Sequence, residues 1–93
     1  VDTITYFQSG SDTINLNAIT AGTGTYNGEA SSYAAAITAL TGGGTASAVL
    51  DTSAHQLYVD VNGDGTIGSG DMIITLTGVN DLTNNITHND IVF

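Results

Sequence analysis

The sequence predicts a mainly β fold, a β-sandwich or β-roll-like cap of short strands, with one short α-helix at about 31–41. Three observations predict it. Apolar and polar residues alternate in short runs, the period of a half-buried strand. Segments rich in Gly, Asn and Asp separate those runs and supply turns. One segment alone changes to the helical period.

The first strand runs from Val1 to Phe7, with Ile4 and Tyr6 alternating against Thr3 and Thr5, and ends at the turn Gln8-Ser9-Gly10. Thr13–Leu16 alternates again, with Ile14 and Leu16 on one face. Residues 20–28 read as loop. Tyr33, Ala36, Ile37 and Leu40 then fall at i, i+3, i+4 and i+7, with Ser31 or Asn27 available as a cap and Gly42-Gly43-Gly44 as the stop. So short a helix needs its stripe packed on a sheet. Ala46, Ala48 and Leu50 make a weak strand. Gln56–Val61 makes a better one, with Leu57, Val59 and Val61 on one face and Tyr58 on the other. Met72–Thr77 places Ile74 and Leu76 opposite Ile73 and Thr75. After a turn at 78–81, Leu82, Ile86 and Ile91-Val92-Phe93 close the fold. Residues 1–93 are expected to form one module, and with Val1 lying inside a strand that module is expected to be a piece of a larger protein.

Charge excludes several functions. Nine acids face no Lys or Arg, for a net charge of −9. Binding nucleic acid through phosphates needs cations, so nucleic acid is not a partner. Adhesion to anionic lipid fails for the same reason. No run approaches the roughly 20 apolar residues of a membrane helix, so membrane insertion is not expected. There is no Cys for a disulfide or a thiolate metal site. Every carboxylate must therefore find water, a backbone N–H or a metal ion.

Residues 60–71 carry the chemistry: Asp-Val-Asn-Gly-Asp-Gly-Thr-Ile-Gly-Ser-Gly-Asp. Oxygen side chains stand at positions 1, 3 and 5 of a twelve-residue calcium loop, as Asp60, Asn62 and Asp64. Gly65 takes the sharp turn at position 6, and Thr66 offers its carbonyl at position 7. Apolar Ile67 is at position 8, and Asp71 is at position 12. Hard oxygens in this order suit Ca²⁺. Asp at position 12 reaches one methylene less than the usual Glu. The competing reading is a Gly-Asp-Gly hairpin turn whose acids are solvated. Both flanks have period 2, so a calcium-bound β-hairpin is expected rather than an EF-hand. A dockerin-like interaction module, which carries two such loops each followed by a helix, is a weaker alternative. His55 and His88, near Asp51 and Asp90 in sequence, lack supporting motifs, and no Ser sits in a nucleophile elbow. No catalytic constellation emerges, and the chain is not expected to be an enzyme.

Residues 2–16, Asp-Thr-Ile-Thr-Tyr-Phe-Gln-Ser-Gly-Ser-Asp-Thr-Ile-Asn-Leu, resemble the segment that follows the calcium β-roll in RTX proteins exported by type I secretion. The pattern there is Asp-x-Ile-x-Asp-Phe, a turn with Gly, then Asp-x-Ile-x-Leu. The hairpin from Leu57 to Val79 and the ending Asp90-Ile91-Val92-Phe93 are similar to the same family's later parts. The middle of the chain, 20–50, matches only by position. Three departures stand out: Tyr6 replaces the usual acid, the 60–71 loop is longer than the common form, and Asn85–His88 looks inserted. No Gly-Gly-x-Gly-x-Asp repeat is present.

The resemblance implies a non-catalytic, calcium-binding C-terminal module of an RTX-like protein. Type I secretion machinery would read Asp90, Ile91, Val92 and Phe93 as the secretion signal. An upstream β-roll of the same chain would be the module's second partner. The protein would be extracellular or on the cell surface, exported without an N-terminal signal peptide. The alternative function is calcium-dependent assembly in a surface layer or adhesin, with other copies of the module as partners. The four terminal residues are expected to serve export more than stability, because chain ends fray.

Overall fold

Leu50, Leu57, Val59 and Leu76 are completely buried, and they all lie on one face of a single sheet. The computed structural model describes residues 2–20, 22–78 and 86–93. The expected contributions of Val1 and Leu82, and most of the turn at 78–81, lie outside these.

The larger sheet holds β1 (Asp2–Thr5), β3 (Thr25–Ala30), β4 (Ser47–Asp51), β5 (Gln56–Asp60) and β6 (Met72–Thr77) in the order β1-β6-β5-β4-β3. β4, β5 and β6 pair antiparallel in chain order, while β1 joins β6 and β3 joins β4 in parallel. A two-stranded parallel ribbon joins β2 (Ile14–Asn15) to β7 (Ile91–Val92). Two short helices, α1 (Asn17–Thr20) and α2 (Tyr33–Thr38), and a 3₁₀ turn at His88–Asp90 complete a mixed α/β fold.

Alternation divides the core in two. Ala48, Leu50, Leu57, Val59, Ile74 and Leu76 meet Phe7, Ile14, Leu16, Ile86 and Ile91 on one face. Val49 and Tyr58 meet Ala36 and Leu40 from the α2 region on the other. The period-2 assignments for β5 and β6 therefore hold, and Ala46, Ala48 and Leu50 do mark a strand. Its weak apolar character comes from Ser47 and Asp51, which are buried among them.

Four local expectations change. The described residues hold two short helices rather than one, since Asn17–Thr20 forms a single turn beside the ribbon. The helix expected at 31–41 is confined to Tyr33–Thr38 and capped by Ser32, whose Oγ accepts the Ala35 amide at 3.1 Å. Asn27 instead clamps the far end, donating from Nδ2 to the Ala39 carbonyl and the Thr41 hydroxyl, both at 2.8 Å. The segment expected to be loop, 20–28, holds most of β3. Pairing with β4 overrides its Asn and Gly, and the register shifts between Tyr26 and Glu29.

The first strand also stops sooner. Tyr6 adopts φ 61, so Phe7 swings into the core while the Tyr6 ring stays 69% exposed. That ring lies against Gly78, where a Cβ would stand 2.4 Å from Tyr6 Cδ1. Only Gly fits there without displacing the ring.

Candidate metal centre

β5 delivers Asp60 to its end, fully buried, and β6 restarts at Met72. The loop between these antiparallel strands is thus the top of a hairpin, as its flanks predict. Two glycines make the reversal, Gly63 at φ 71 and Gly65 at φ 81.

The reversal aims backbone amides at Asp60. Its Oδ1 accepts from Gly63 at 3.0 Å and from Asp64 at 3.3 Å, and its Oδ2 accepts from Gly65 at 2.7 Å. Asp71 bridges the loop in the other direction. Its Oδ1 accepts the Val61 amide and its Oδ2 the Gly68 amide, each at 2.8 Å. Asp64 is exposed, and its Oδ1 accepts both the amide and the hydroxyl of Thr66 at 3.0 Å. The Thr66 amide is the main reason that this carboxyl is held below the ordinary value. Asn62 Oδ1 accepts the Asp64 amide at 3.3 Å, and Asn62 Nδ2 reaches Asp64 Oδ2 at 3.4 Å.

The result brings one carboxylate oxygen each from Asp60, Asp64 and Asp71 within 4.8 Å of one another. Asn62 and Thr66 are tied to the same cluster through Asp64. Of the five residues named from the sequence as metal-ligating, the structure brings the three carboxylates within reach of one another. Three carboxylates this close repel, and the chain has no Lys or Arg to offset them. Oriented amides relieve part of that repulsion, and a divalent cation would relieve more. The donor set is entirely oxygen, which fits a hard cation such as Ca²⁺ or Mg²⁺ and not a soft one.

Asp90, Ile91, Val92 and Phe93 lie elsewhere and are built into the fold. Asp90 is buried. It accepts from the Ser9 hydroxyl at 2.7 Å, the Gly10 amide at 3.1 Å and the Thr87 amide at 2.9 Å. Ile91 packs in the main core, and Val92 is exposed. The Phe93 ring fills the space where Gly24 would carry a Cβ. Asn17 Nδ2 donates to the Phe93 carbonyl at 3.1 Å. β7 pairs with β2, and Asp90 is bonded to the Ser9 turn.

Asp51 makes a comparable cap at the β4–β5 turn. It accepts from the Ser53 hydroxyl at 2.6 Å, the Ser53 amide at 2.9 Å and the Tyr58 hydroxyl at 3.0 Å. His55 sits in that turn at φ 54, and its carbonyl accepts the Leu76 amide at 2.8 Å. Among the described residues, only the Asp60, Asp64 and Asp71 group comes within the reach of one ion.

Sequence reasoning missed what supports the loop. A Cβ on Gly63 would lie 2.4 Å from the backbone of Gly44 and Thr45, and the Gly44 amide donates to the Gly63 carbonyl at 2.9 Å. The triple glycine reads as a helix stop in sequence, yet it is also the surface on which the loop rests. Comparison with family models, with curated proteins and with solved structures gives no match for this chain.

Proposed function

We propose that residues 60–71 bind one Ca²⁺ ion and that the chain is a non-catalytic calcium-binding module. Asp60, Asn62, Asp64 and Asp71 supply side-chain oxygens, and Thr66 supplies its carbonyl. The observation that carries this reading is the convergence of three carboxylate oxygens within 4.8 Å in a chain that has no Lys or Arg. The 2.7 Å bond from Gly65 to Asp60 supports it, because it fixes the first carboxylate at the sharp turn such loops require.

The wider reading rests on the resemblance to RTX proteins. In it the module belongs to a protein exported by type I secretion, caps an upstream β-roll and folds on meeting calcium outside the cell. The pairing of β2 with β7 supports it, since it joins two segments that carry the resemblance. The second reading, calcium-dependent assembly in a surface layer or adhesin, is favoured by the position of β1. That strand closes one edge of the large sheet and is mostly exposed.

Titration calorimetry with CaCl₂ tests the metal reading. Loops of this type outside cells bind at about 10⁻⁴–10⁻³ M. The wild type should give a one-site isotherm in that range, and Asp64→Ala should lose it. Equal binding by the two proteins overturns the assignment.

A further inference from the structure

Helix α2 has six residues, too few to stand alone, and the apolar cluster beneath it is small. Its core consists of Ala36, Leu40, Val49 and Tyr58. One of the side chains that completes this cluster comes from the metal loop itself. Ile67, eighth in the loop, is half-buried against it.

Two further connections join the loop to the chain that leaves α2. The Gly44 amide donates to the Gly63 carbonyl at 2.9 Å, across a backbone contact too close for any side chain. Asp60 lies opposite Ser47 in the β4–β5 pair, and both are fully buried. Ser47 Oγ in turn accepts the amide of Thr41, just beyond α2, at 3.0 Å. If α2 lifts from the sheet, Ile67 loses its packing and the Gly63 seam opens. Disorder in the loop conversely withdraws Ile67 from the cluster under α2 and Gly63 from Gly44, in the chain that leaves α2.

We propose that the 60–71 loop and α2 dock on the sheet as one cooperative unit, so that a divalent cation held by the loop also holds α2 down. The cation arm rests on the calcium reading above, whereas the coupling itself does not. The state that opens is the α2 layer with its loop, while the β4–β5–β6 face packed on the main core stays closed. A ligand that binds only the docked state suppresses this opening by the factor 1 + [L]/Kd.

Native-state hydrogen exchange tests this in two arms. In chelator, the amides of Ala36, Ala39 and Gly44 should share one opening constant with those of Gly63 and Gly65. Ile67→Ala should raise that constant about tenfold at both places, and Ile67→Val serves as the milder variant should the first not fold. With calcium at twenty times its Kd, protection of both sets should rise about 20-fold. Unequal opening constants in chelator, or a loop that gains protection in calcium while α2 does not, would overturn the coupling. Absence of calorimetric binding would remove the cation arm, and the chelator arm would still decide whether loop and helix form one unit.

Discussion

The Ser9 hydroxyl donates to Asp90 Oδ2 at 2.7 Å and so ties the first turn of the chain to its last. The Gly10 and Thr87 amides and the Thr87 hydroxyl complete the cage around this buried carboxylate. Asp90→Ala would leave these four donors without their acceptor. It should cost about 2–3 kcal/mol, while Ser9→Ala should cost about 1 kcal/mol. Urea midpoints at neutral pH check both. An unchanged midpoint for Asp90→Ala would mean that the chain end contributes nothing to stability.

Two tyrosines, Tyr58 buried and Tyr26 half-buried with its hydroxyl inside, should respond differently to loss of that hydroxyl. The Tyr58 hydroxyl bonds Asp51 Oδ2 at 3.0 Å and Gln56 Oε1 at 3.1 Å, so Tyr58→Phe should destabilise by about 1–2 kcal/mol. The Tyr26 hydroxyl is buried and has no hydrogen-bond partner among the described residues. Tyr26→Phe should therefore be neutral or stabilising by up to about 1 kcal/mol. Thermal unfolding of the two variants gives the comparison, and equal losses would contradict it.

Stability should fall at both ends of the pH scale. Burial pushes the Asp51 and Asp90 carboxyls up, but hydrogen bonds to the ionised form outweigh it and leave both below the ordinary value. Their contribution is present above the unfolded value of about 4 and is lost as pH falls through the lower folded values. Tyr26 and Tyr58 are pushed up to about 12, chiefly by burial. Their contribution is present below about 10 and is lost as pH rises from there to the folded values. Urea unfolding across the pH range should give a plateau between these limits. Asp51→Asn should flatten the acid limb, and an unaltered limb would argue against the assignment.

Gly63 and Gly43 offer a matched pair. Both have positive φ, 71 and 79, but a Cβ at Gly63 meets backbone at 2.4 Å, whereas one at Gly43 meets nothing within 4 Å. Gly43→Ala should cost about 1 kcal/mol from backbone conformation alone. Gly63→Ala should cost at least about 2 kcal/mol more, because the 42–44 segment must move. Denaturant titration of the pair measures the difference, and equal costs would mean that the seam yields freely.

The exposed edge strand β1 carries a single acid, Asp2, and no Lys or Pro to discourage pairing. A bound cation would reduce the net charge of −9 that keeps copies apart. Sedimentation should therefore show more self-association in calcium than in chelator. A monomer at high concentration in both would count against the assembly reading.

How much was legible from sequence differs from element to element. β5 and β6 were readable because the face toward the main core is uniformly apolar (Leu57 and Val59, Ile74 and Leu76) while the other face is mixed, which leaves a period-2 record. The 60–71 loop was readable because the spacing of its oxygen side chains and its glycines is set by local chain geometry. β3 was not readable: its Tyr-Asn-Gly-Glu core has turn composition, and only pairing with β4 makes it a strand. The role of Asp90 was hidden as well, since its donors Ser9 and Gly10 lie 81 and 80 positions away.

The amino-acid order by itself determined the charge, the hairpin and the order of oxygen side chains along residues 60–71. These depend on composition and on neighbours a few residues apart. Tertiary structure alone decided the three parallel pairings, β1 with β6, β3 with β4 and β2 with β7. It also decided that Ile91 joins the main core and that the triple glycine lies against the 60–71 loop. Parallel strands join segments with no turn between them, so no local signal records their partnership. The contact of Gly63 with Gly44 is made by two residues without side chains, so no apolar pattern marks it in the sequence.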